Sequence, residues 1–429
     1  MPEGDYNPSS TSSRSLAGFI RLLGPGLLFA GTAIGVSHVF QSTRAGAEYG
    51  TALIWAVIVA NLFKFPFFEF GPRYAMATGE SLVSGYRRMG WGVFGLFIIV
   101  SLLTVFTVQA AVTSVTSALT IYLFGAALPN WVMSAVILTL CAIIVAVGRY
   151  KMLDTAIKTI ILVLSAATLI ALVAAFGAPA PELSTHLRKS FDWSDTAAIM
   201  LLIGLMGWMP APIDLSVWHS LWALEKRNQQ KEFDFNLALF DFRIGYIGTA
   251  ILALVFLGLG ALMLYGNLES FPATAAAFST TLIDIYEMSL GSWAKWVIAI
   301  AAVTTMFSTT LTVLDGIPRV FAVSLQTARR NLDEPEHHKR DGSYWFFLGV
   351  LFIGTLLVIA RFANNLKDLV DLATILSFLT APFFAIANYL LVTNKRIPEA
   401  YRPGRGLRIL SWMGILFLLG FGIWFITLL

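Results

Sequence analysis

Residues 204–214 read Gly-Leu-Met-Gly-Trp-Met-Pro-Ala-Pro-Ile-Asp and lie inside a long apolar segment. Pro210 and Pro212 each lack a backbone N–H and clash with the preceding helical turn, so a continuous helix through this point is not expected. A second apolar segment, residues 20–41, carries Gly-Pro-Gly at 24–26 and Gly-Val-Ser-His at 35–38. Both segments are therefore predicted to be pairs of half-helices joined by unwound backbone.

The composition around these segments excludes a water-soluble enzyme. The chain has 429 residues, of which 57% are hydrophobic and 13% charged, whereas soluble domains are about 25% charged. Apolar stretches such as residues 132–147 do not alternate with period two, which excludes a β-barrel. A single cysteine, Cys141, excludes an intramolecular disulfide and a cysteine metal cluster. We expect an all-α polytopic membrane protein whose partner is the lipid bilayer and not a nucleic acid.

Hydropathy predicts eleven membrane spans, each long enough to cross a hydrocarbon core of about 30 Å. We number them spans 1–11, and they cover residues 20–41, 51–71, 92–124, 130–148, 153–177, 196–222, 238–265, 293–326, 343–360, 368–392 and 407–428. The long outer connections are then residues 178–195 and 267–292, the second rich in small and hydroxyl residues.

Basic residues predict the orientation. With the N-terminus in the cytoplasm, Lys and Arg crowd the inner loops and few remain outside: Arg44, Arg188, Lys189, Lys295, Arg361 and Lys367. An odd number of spans then places the C-terminus outside, in a membrane of the bacterial plasma-membrane type. Residues 1–15 are polar and Ser-rich and are predicted to form a disordered cytoplasmic tail.

The broken spans occupy matching positions in the chain. Spans 1 and 6 are the first members of two five-span units, and interrupted spans at matching positions point to the central site of a transporter. We therefore predict an inverted 5+5 repeat of the LeuT type, with repeats at residues 16–177 and 196–392 and an eleventh helix at 407–429. The alternative is that Gly and Pro only kink these helices for packing.

Several motifs resemble the Nramp family of divalent-metal transporters. They are Gly-Pro-Gly at 24–26, Ala-Gly-Ala at 45–47, Ala-Asn-Leu at 60–62, Ala-Thr-Gly-Glu at 77–80, the Met209-Pro210 pair and the hydroxyl-rich span 8. The resemblance covers nearly the whole chain. It implies a secondary transporter with a LeuT-type fold and no enzymatic activity.

The chain departs from the family at the metal site. In the family, the first break reads Asp-Pro-Gly-Asn and its Asp and Asn ligate the metal, whereas residues 35–38 supply no carboxylate here. Two acidic residues of the family's proton route in span 3 are replaced by Gln109 and Val112, and the family's Met-Pro-His becomes Met209-Pro210-Ala211. The resemblance therefore implies an altered substrate.

The predicted substrate site is formed by the two breaks: Gly35, Ser37, His38, Trp208, Met209, Ala211 and Asp214. Half-helix N-termini carry partial positive charge and present unpaired amides, so they favour an anion where no carboxylate competes. We expect a small inorganic anion such as bicarbonate. Asp214 has the alternative role of capping the following half-helix, and His38 that of a packing residue.

Hydroxyls of span 8 suggest the coupling ion. In LeuT-type transporters sodium is held between carbonyls of broken span 1 and hydroxyls of span 8, which makes Ser308, Thr309, Thr305 and Thr312 the candidates here. Sodium tolerates neutral oxygen ligands, so the missing acids do not exclude it. The alternative is that these hydroxyls only bond neighbouring helices. Apart from this possible sodium ion, no cofactor is predicted. The sequence does not predict an oligomeric state.

Two other functions stay open at this point. A divergent transporter of Mn²⁺, Fe²⁺ or Mg²⁺ would have to use His38, Met209 and Asp214, because imidazole and thioether suit transition metals. A sensor or scaffold would keep the fold without transport. Catalysis is not expected, because no nucleophile and base stand at a recognisable spacing.

Overall fold

The computed structural model describes residues 24–148, 150–177, 188–230, 232–267, 271–334, 336, 340–362 and 365–428, with side chains at all of these except 150–161. The predicted tail at 1–15 lies outside the described residues. Within them, every regular element is helical.

Fifteen α-helices follow one another in the described chain. They are α1 Pro25–Ala33, α2 Thr43–Tyr49, α3 Ile54–Thr78, α4 Leu82–Arg88, α5 Trp91–Phe124, α6 Asn130–Val147, α7 Tyr150–Gly177, α8 Thr196–Gly207, α9 Leu215–Gln229, α10 Phe235–Met263, α11 Ala275–Leu290, α12 Ala294–Arg329, α13 Gly342–Arg361, α14 Leu366–Thr393 and α15 Arg405–Ile426. A π-helical segment, Ser37–Ser42, joins α1 to α2, and a 3₁₀ turn, Glu399–Tyr401, precedes α15.

Eight helices of the described chain are long and apolar enough to cross a membrane: α3, α5, α6, α10, α12, α13, α14 and α15. Span 5 is α7, while spans 1 and 6 are each divided between two shorter helices, α1 with α2 and α8 with α9. Large apolar side chains point outward, among them Leu357 and Leu416, which are 68% and 66% exposed. Such surfaces are stable against lipid and costly in water, so the protein is an integral membrane protein.

The connection after span 7 contains a helix. Residues 267–292 are predicted only as a long connection between spans, and within them Ala275–Leu290 form α11. The Thr274 hydroxyl accepts a hydrogen bond from the Ala277 amide over 3.3 Å and caps its first turn. Phe278, Leu282 and Ile285 are buried on one face, and that packing stabilises a helix that propensity alone leaves marginal.

Span 1 is held tightly against span 7. A Cβ atom added at Gly46 of α2 would lie 2.0 Å from the Leu257 carbonyl oxygen of α10, and one at Gly260 would lie 2.2 Å from the Thr43 carbonyl oxygen. At the other end of span 1, a Cβ at Gly26 would lie 2.1 Å from the Asp241 carbonyl oxygen. Small residues let membrane helices approach to backbone contact, so both halves of span 1 rest on α10.

Candidate functional site

Both predicted breaks are present. Helix α1 ends at Ala33, and Ile34 and Gly35 are non-helical before the π-helical segment begins at Ser37. Helix α8 ends at Gly207, and α9 begins at Leu215 beyond the two prolines. The proline pair thus ends span 6 where the sequence predicts.

A cavity of about 40 Å³ lies between the two breaks. A buried water needs about 10–15 Å³ by this measure, so the space suits a solute of a few non-hydrogen atoms. Its walls come from spans 1, 3, 6 and 8: Thr32, Ala33, Val36, Ser37, Val108, Val112, Trp208, Ala211, Pro212, Asp214, Leu215, Trp218, Thr309 and Val313. Most of these side chains are apolar, and Asp214 is the one ionisable group among them.

The structure brings four of the seven predicted substrate residues to the cavity wall: Ser37, Trp208, Ala211 and Asp214. Gly35, His38 and Met209 do not line it. Gly35 instead lies against span 8, because a Cβ atom at Gly35 would be 3.1 Å from Thr309 Cγ2.

His38 faces span 7. Its Nε2 donates to the Thr249 carbonyl oxygen over 2.9 Å, and its Nδ1 lies 2.8 Å from the Ser37 hydroxyl. The ring is fully buried. Both ring nitrogens therefore have protein partners, as the packing alternative for His38 requires, and the substrate role predicted for it stays a prediction.

Met209 links the two breaks directly. Its Sδ accepts a hydrogen bond from the Ser42 hydroxyl over 3.7 Å, and its side chain is fully buried. The thioether is thus directed at the π-helical segment of span 1 and away from the cavity.

Trp208 is positioned by span 10. The indole Nε1 donates to the Ser377 hydroxyl of α14 over 2.8 Å. Because this bond satisfies its polar edge, the indole can present an apolar face to the cavity.

Asp214 stands at the N-cap position of α9 but its side chain makes no capping hydrogen bond. The amides of Leu215, Ser216 and Val217 instead donate to the carbonyls of Pro212, Ile213 and Asp214 at 2.8–3.1 Å. The unpaired amides expected at this half-helix are therefore absent from its first turn. The Asp214 carboxylate lines the central cavity and also a second, smaller one.

Smaller cavities continue from the site along one face of α9. The second contacts Asp214 and Trp218, and a third is lined by Leu221 and Glu225 from α9 with Arg319 from α12. These α9 positions recur every three or four residues and so share a helix face. The row leads toward the side of the membrane predicted to be cytoplasmic.

Lys64 of α3 is the site residue that sequence reasoning missed. Its side chain is fully buried, and its ammonium donates to the carbonyl oxygens of Met206 at 3.1 Å, Gly207 at 2.9 Å and Ala211 at 2.8 Å. A lysine within an apolar span is the signal that could have found it, because charged side chains are costly in the membrane and mark functional positions.

Span 3 presents neutral groups where the family has acids. Gln109 donates to the Thr113 hydroxyl at 3.0 Å, and its Oε1 is buried with no hydrogen-bond partner. Val112 lies on the cavity wall beside Val108. This wall therefore offers the cavity alkyl groups.

Among the hydroxyls of span 8, that of Thr309 reaches span 1. Thr309 Oγ1 lies 3.2 Å from the Gly31 carbonyl oxygen of α1 and 3.2 Å from that of Thr305. Thr305 Oγ1 is buried without a hydrogen-bond partner. Ser308 and Thr312 are also buried, and the Thr312 hydroxyl donates to the Ser308 carbonyl over 2.8 Å. Of the four predicted sodium ligands, Thr309 alone lines the cavity.

In the part of the chain that the structure describes, no three His, Cys, Asp or Glu side chains are grouped so that they could hold a metal ion. The central site is thus a small, mostly apolar cavity with one carboxylate on its wall and one ammonium behind it.

Two broken spans around a central cavity are the architecture of the LeuT fold, and solved structures with that fold align with nearly the whole chain. A mutant of the manganese transporter of Eremococcus coleocola has a TM-score of 0.69 at 14% identity, covering 98% of this chain and 87% of that one. Mhp1, a nucleobase-cation-symport-1 family transporter, has a TM-score of 0.57 at 14% identity, covering 94% of this chain and 93% of that one.

The protein belongs to the Nramp family, because the model described as "Natural resistance-associated macrophage protein-like" matches residues 26–428. "Uncharacterized protein PM0681" of Pasteurella multocida is 34% identical over 414 residues, which cover 94% of this chain and 92% of that protein. "Divalent metal cation transporter MntH" of Chromohalobacter salexigens is 26% identical over 278 residues, or 62% of this chain and 59% of that protein.

Proposed function

We propose that this Nramp-family transporter carries a small monovalent anion together with sodium, and that bicarbonate is the first substrate to test. The observation that carries the proposal is the fixed ammonium of Lys64, which binds the carbonyl of Ala211 in the cavity wall. Because Lys64 offsets the Asp214 carboxylate, the wall has no net negative charge left to hold a divalent cation.

The charges of the site also favour joint transport of an anion and a cation. Asp214 lies on the wall, and the Lys64 amine lies behind it, bound to carbonyl oxygens and not to the carboxylate. One acid and one base together bring no net charge to the site before a substrate enters. A neutral site accommodates a monovalent anion and a monovalent cation as a pair at less cost than either ion alone.

Sodium would bind where span 8 meets broken span 1. Thr309 Oγ1 and the Gly31 carbonyl oxygen are 3.2 Å apart. The buried Thr305 hydroxyl has no hydrogen-bond partner, so binding an ion would not break a hydrogen bond there. A cation with neutral oxygen ligands fits such a position. Burial of an unpartnered hydroxyl costs about 1–3 kcal/mol, which ligation would recover.

The second candidate is transport of a divalent metal ion, which the printed names of the MntH relative and the manganese transporter attach to those proteins. Here His38 is bonded to span 7 and the Met209 sulfur to Ser42, so Asp214 alone of the three proposed ligands reaches the cavity. One carboxylate facing a neighbouring ammonium is a poor site for a doubly charged ion.

Uptake into proteoliposomes separates these functions. We expect labelled bicarbonate to enter under an inward sodium gradient, with little uptake when choline replaces sodium and no Mn²⁺ uptake. Mn²⁺ uptake that bicarbonate does not inhibit would instead establish the metal function. No movement of either solute, with a partner protein bound tightly, would favour a sensor or scaffold.

Two variants serve as matched controls for this assay. Ala211→Phe places a ring in the cavity and should abolish uptake, whereas Leu357→Phe adds the same group on a lipid-facing surface and should leave uptake unchanged. Both variants share the passive leak of CO₂ across the bilayer. The difference between them therefore reports transport through the cavity.

A further inference from the structure

Three backbone carbonyls form a cage of oxygen atoms at the break in span 6. They belong to Met206 and Gly207, in the last turn of α8, and to Ala211 between the two prolines. The last carbonyls of a helix have no amide partners within it, and they carry the negative end of the helix dipole. The cage is therefore a concentration of partial negative charge in a buried place.

The occupant of the cage is the Lys64 ammonium. An ammonium has three N–H donors, and here each finds one carbonyl oxygen at 2.8–3.1 Å. The Phe68 ring, 5.9 Å away from the nitrogen, is the cation–π partner. All three N–H donors of the Lys64 ammonium are used within the protein. The ammonium therefore occupies the cage as a bound cation would, with the difference that it is covalently attached to α3.

The backbone keeps the cage open. Pro210 and Pro212 have no N–H to offer its carbonyls, and a Cβ atom added at Gly207 would lie 2.1 Å from the Thr374 carbonyl oxygen, so α8 is held against α14 at this point. The three oxygens thus keep their positions through backbone and neighbouring-helix contacts as well as through Lys64.

We propose that these carbonyls are a monovalent-cation site whose permanent ligand is the Lys64 ammonium, so that removal of the amine opens the cage to Na⁺, K⁺, NH₄⁺ or methylammonium. Neutral backbone oxygens around a buried space are the ligands such ions take. This proposal does not depend on which solute the transporter carries. It makes Lys64 a built-in replacement for an ion that would otherwise have to be drawn from solution.

Thermal unfolding of the purified full chain tests the proposal without any transport assay. Lys64→Ala vacates the cage, while Lys64→Met fills the same volume with an uncharged chain and leaves no room for an ion. We expect Lys64→Ala to unfold at least about 3 °C higher in Na⁺, K⁺, NH₄⁺ or methylammonium chloride than in choline chloride of equal ionic strength. Wild type and Lys64→Met should not distinguish K⁺, NH₄⁺ or methylammonium from choline, and a gain in Na⁺ that all three proteins share reports the proposed sodium position at Thr309.

Three results would overturn the site. One is a folded Lys64→Ala protein that unfolds at the same temperature in all the salts. Another is a Lys64→Met protein that gains as much from small cations as Lys64→Ala does. The third concerns variants that fold poorly. Lys64→Met could be recovered folded while Lys64→Ala is recovered in neither choline nor methylammonium. A free cation then does not replace the amine. Recovery in methylammonium alone would support the site.

Asn388→Ala provides a control for unspecific salt effects. Asn388 is buried in α14 and donates to the Phe67 carbonyl of α3 over 3.0 Å, so its removal disturbs the same helix without opening the cage. We expect this variant to lose stability equally in every salt. A cation-specific gain in Asn388→Ala as large as that in Lys64→Ala would count against the cage.

Discussion

Arg44 Nη1 lies 2.6 Å from Asp371 Oδ1 and joins α2 of span 1 to α14 of span 10. Arg44 also contacts Glu48 one turn along α2, at 2.8 Å. Both members of the first pair are almost fully buried, whereas Glu48 is partly exposed. On the side of the membrane predicted to be outer, this contact ties span 1 to span 10.

Asp371→Asn should lower the free energy of unfolding by about 2 kcal/mol. Loss of one partner of a buried ion pair costs about 3–5 kcal/mol, and the remaining contact with Glu48 reduces that loss. Glu48→Gln, at the more exposed partner, should cost less than about 1 kcal/mol. Thermal unfolding in detergent measures both, and equal losses for the two variants would contradict a dominant Arg44–Asp371 contact.

Gly207→Ala should destabilise the protein by about 1–3 kcal/mol, because the new methyl would lie 2.1 Å from the Thr374 carbonyl oxygen and push α8 away from α14. Gly349→Ala is the matched control. Its methyl meets no atom within 4 Å, and the change from Gly to Ala inside a helix should stabilise by up to about 1 kcal/mol. A tolerated Gly207→Ala would mean that the two helices are not in backbone contact at the break.

Gly35→Asp should abolish anion uptake in proteoliposomes, since it returns a carboxylate to the first break. The new Cβ would lie 3.1 Å from Thr309 Cγ2, so some loss of stability comes from size alone. Gly35→Asn has the same shape without the charge and should retain more uptake. Binding of Mn²⁺ by Gly35→Asp, measured calorimetrically, would show that the carboxylate was the missing metal ligand and would favour the divalent-metal function.

Asp341, which lies outside the membrane-spanning segments, should make the stability of the protein depend on pH. It caps α13, and hydrogen bonds from Ser343 and then from Gln326 and the Tyr344 amide hold its pKa below the usual Asp value. Because the folded pKa is depressed, this stabilisation is present above the unfolded pKa of about 3.9 and is lost as the pH falls through the lower folded pKa. The difference in unfolding temperature between wild type and Asp341→Asn should therefore shrink on acidification below about pH 4. A difference that stays constant with pH would assign the loss to geometry and not to charge.

The sequence predicts the spans and both breaks well, because length, hydropathy and paired prolines act locally. Helix α11 is not predicted, because it depends on the burial of Phe278 and Leu282 and not on composition. The orientation of His38 is equally hidden. His38 lies in the π-helical segment Ser37–Ser42, where side chains point in other directions than they would in an α-helix. No residue type in the sequence predicts a π-helical segment here.

Lys64 is a different kind of omission. Its position inside span 2 is plain in the sequence, but its partners are carbonyls from residues more than 140 positions away. Only the folded chain brings the amine and the end of α8 together. Trp208, Ala211 and Asp214 could be predicted because the prolines that break span 6 stand among them.

The backbone contacts of Gly26, Gly46 and Gly260 make span 1 and α10 a single mechanical part. A change of access that moved this part would carry Ser37 with it and would strain the Thr309–Gly31 hydrogen bond to span 8. The proposed anion position and the proposed sodium position therefore lie on the two edges of one sliding surface. On the proposed function, a displacement that opened the first would loosen the second, and both solutes would leave together.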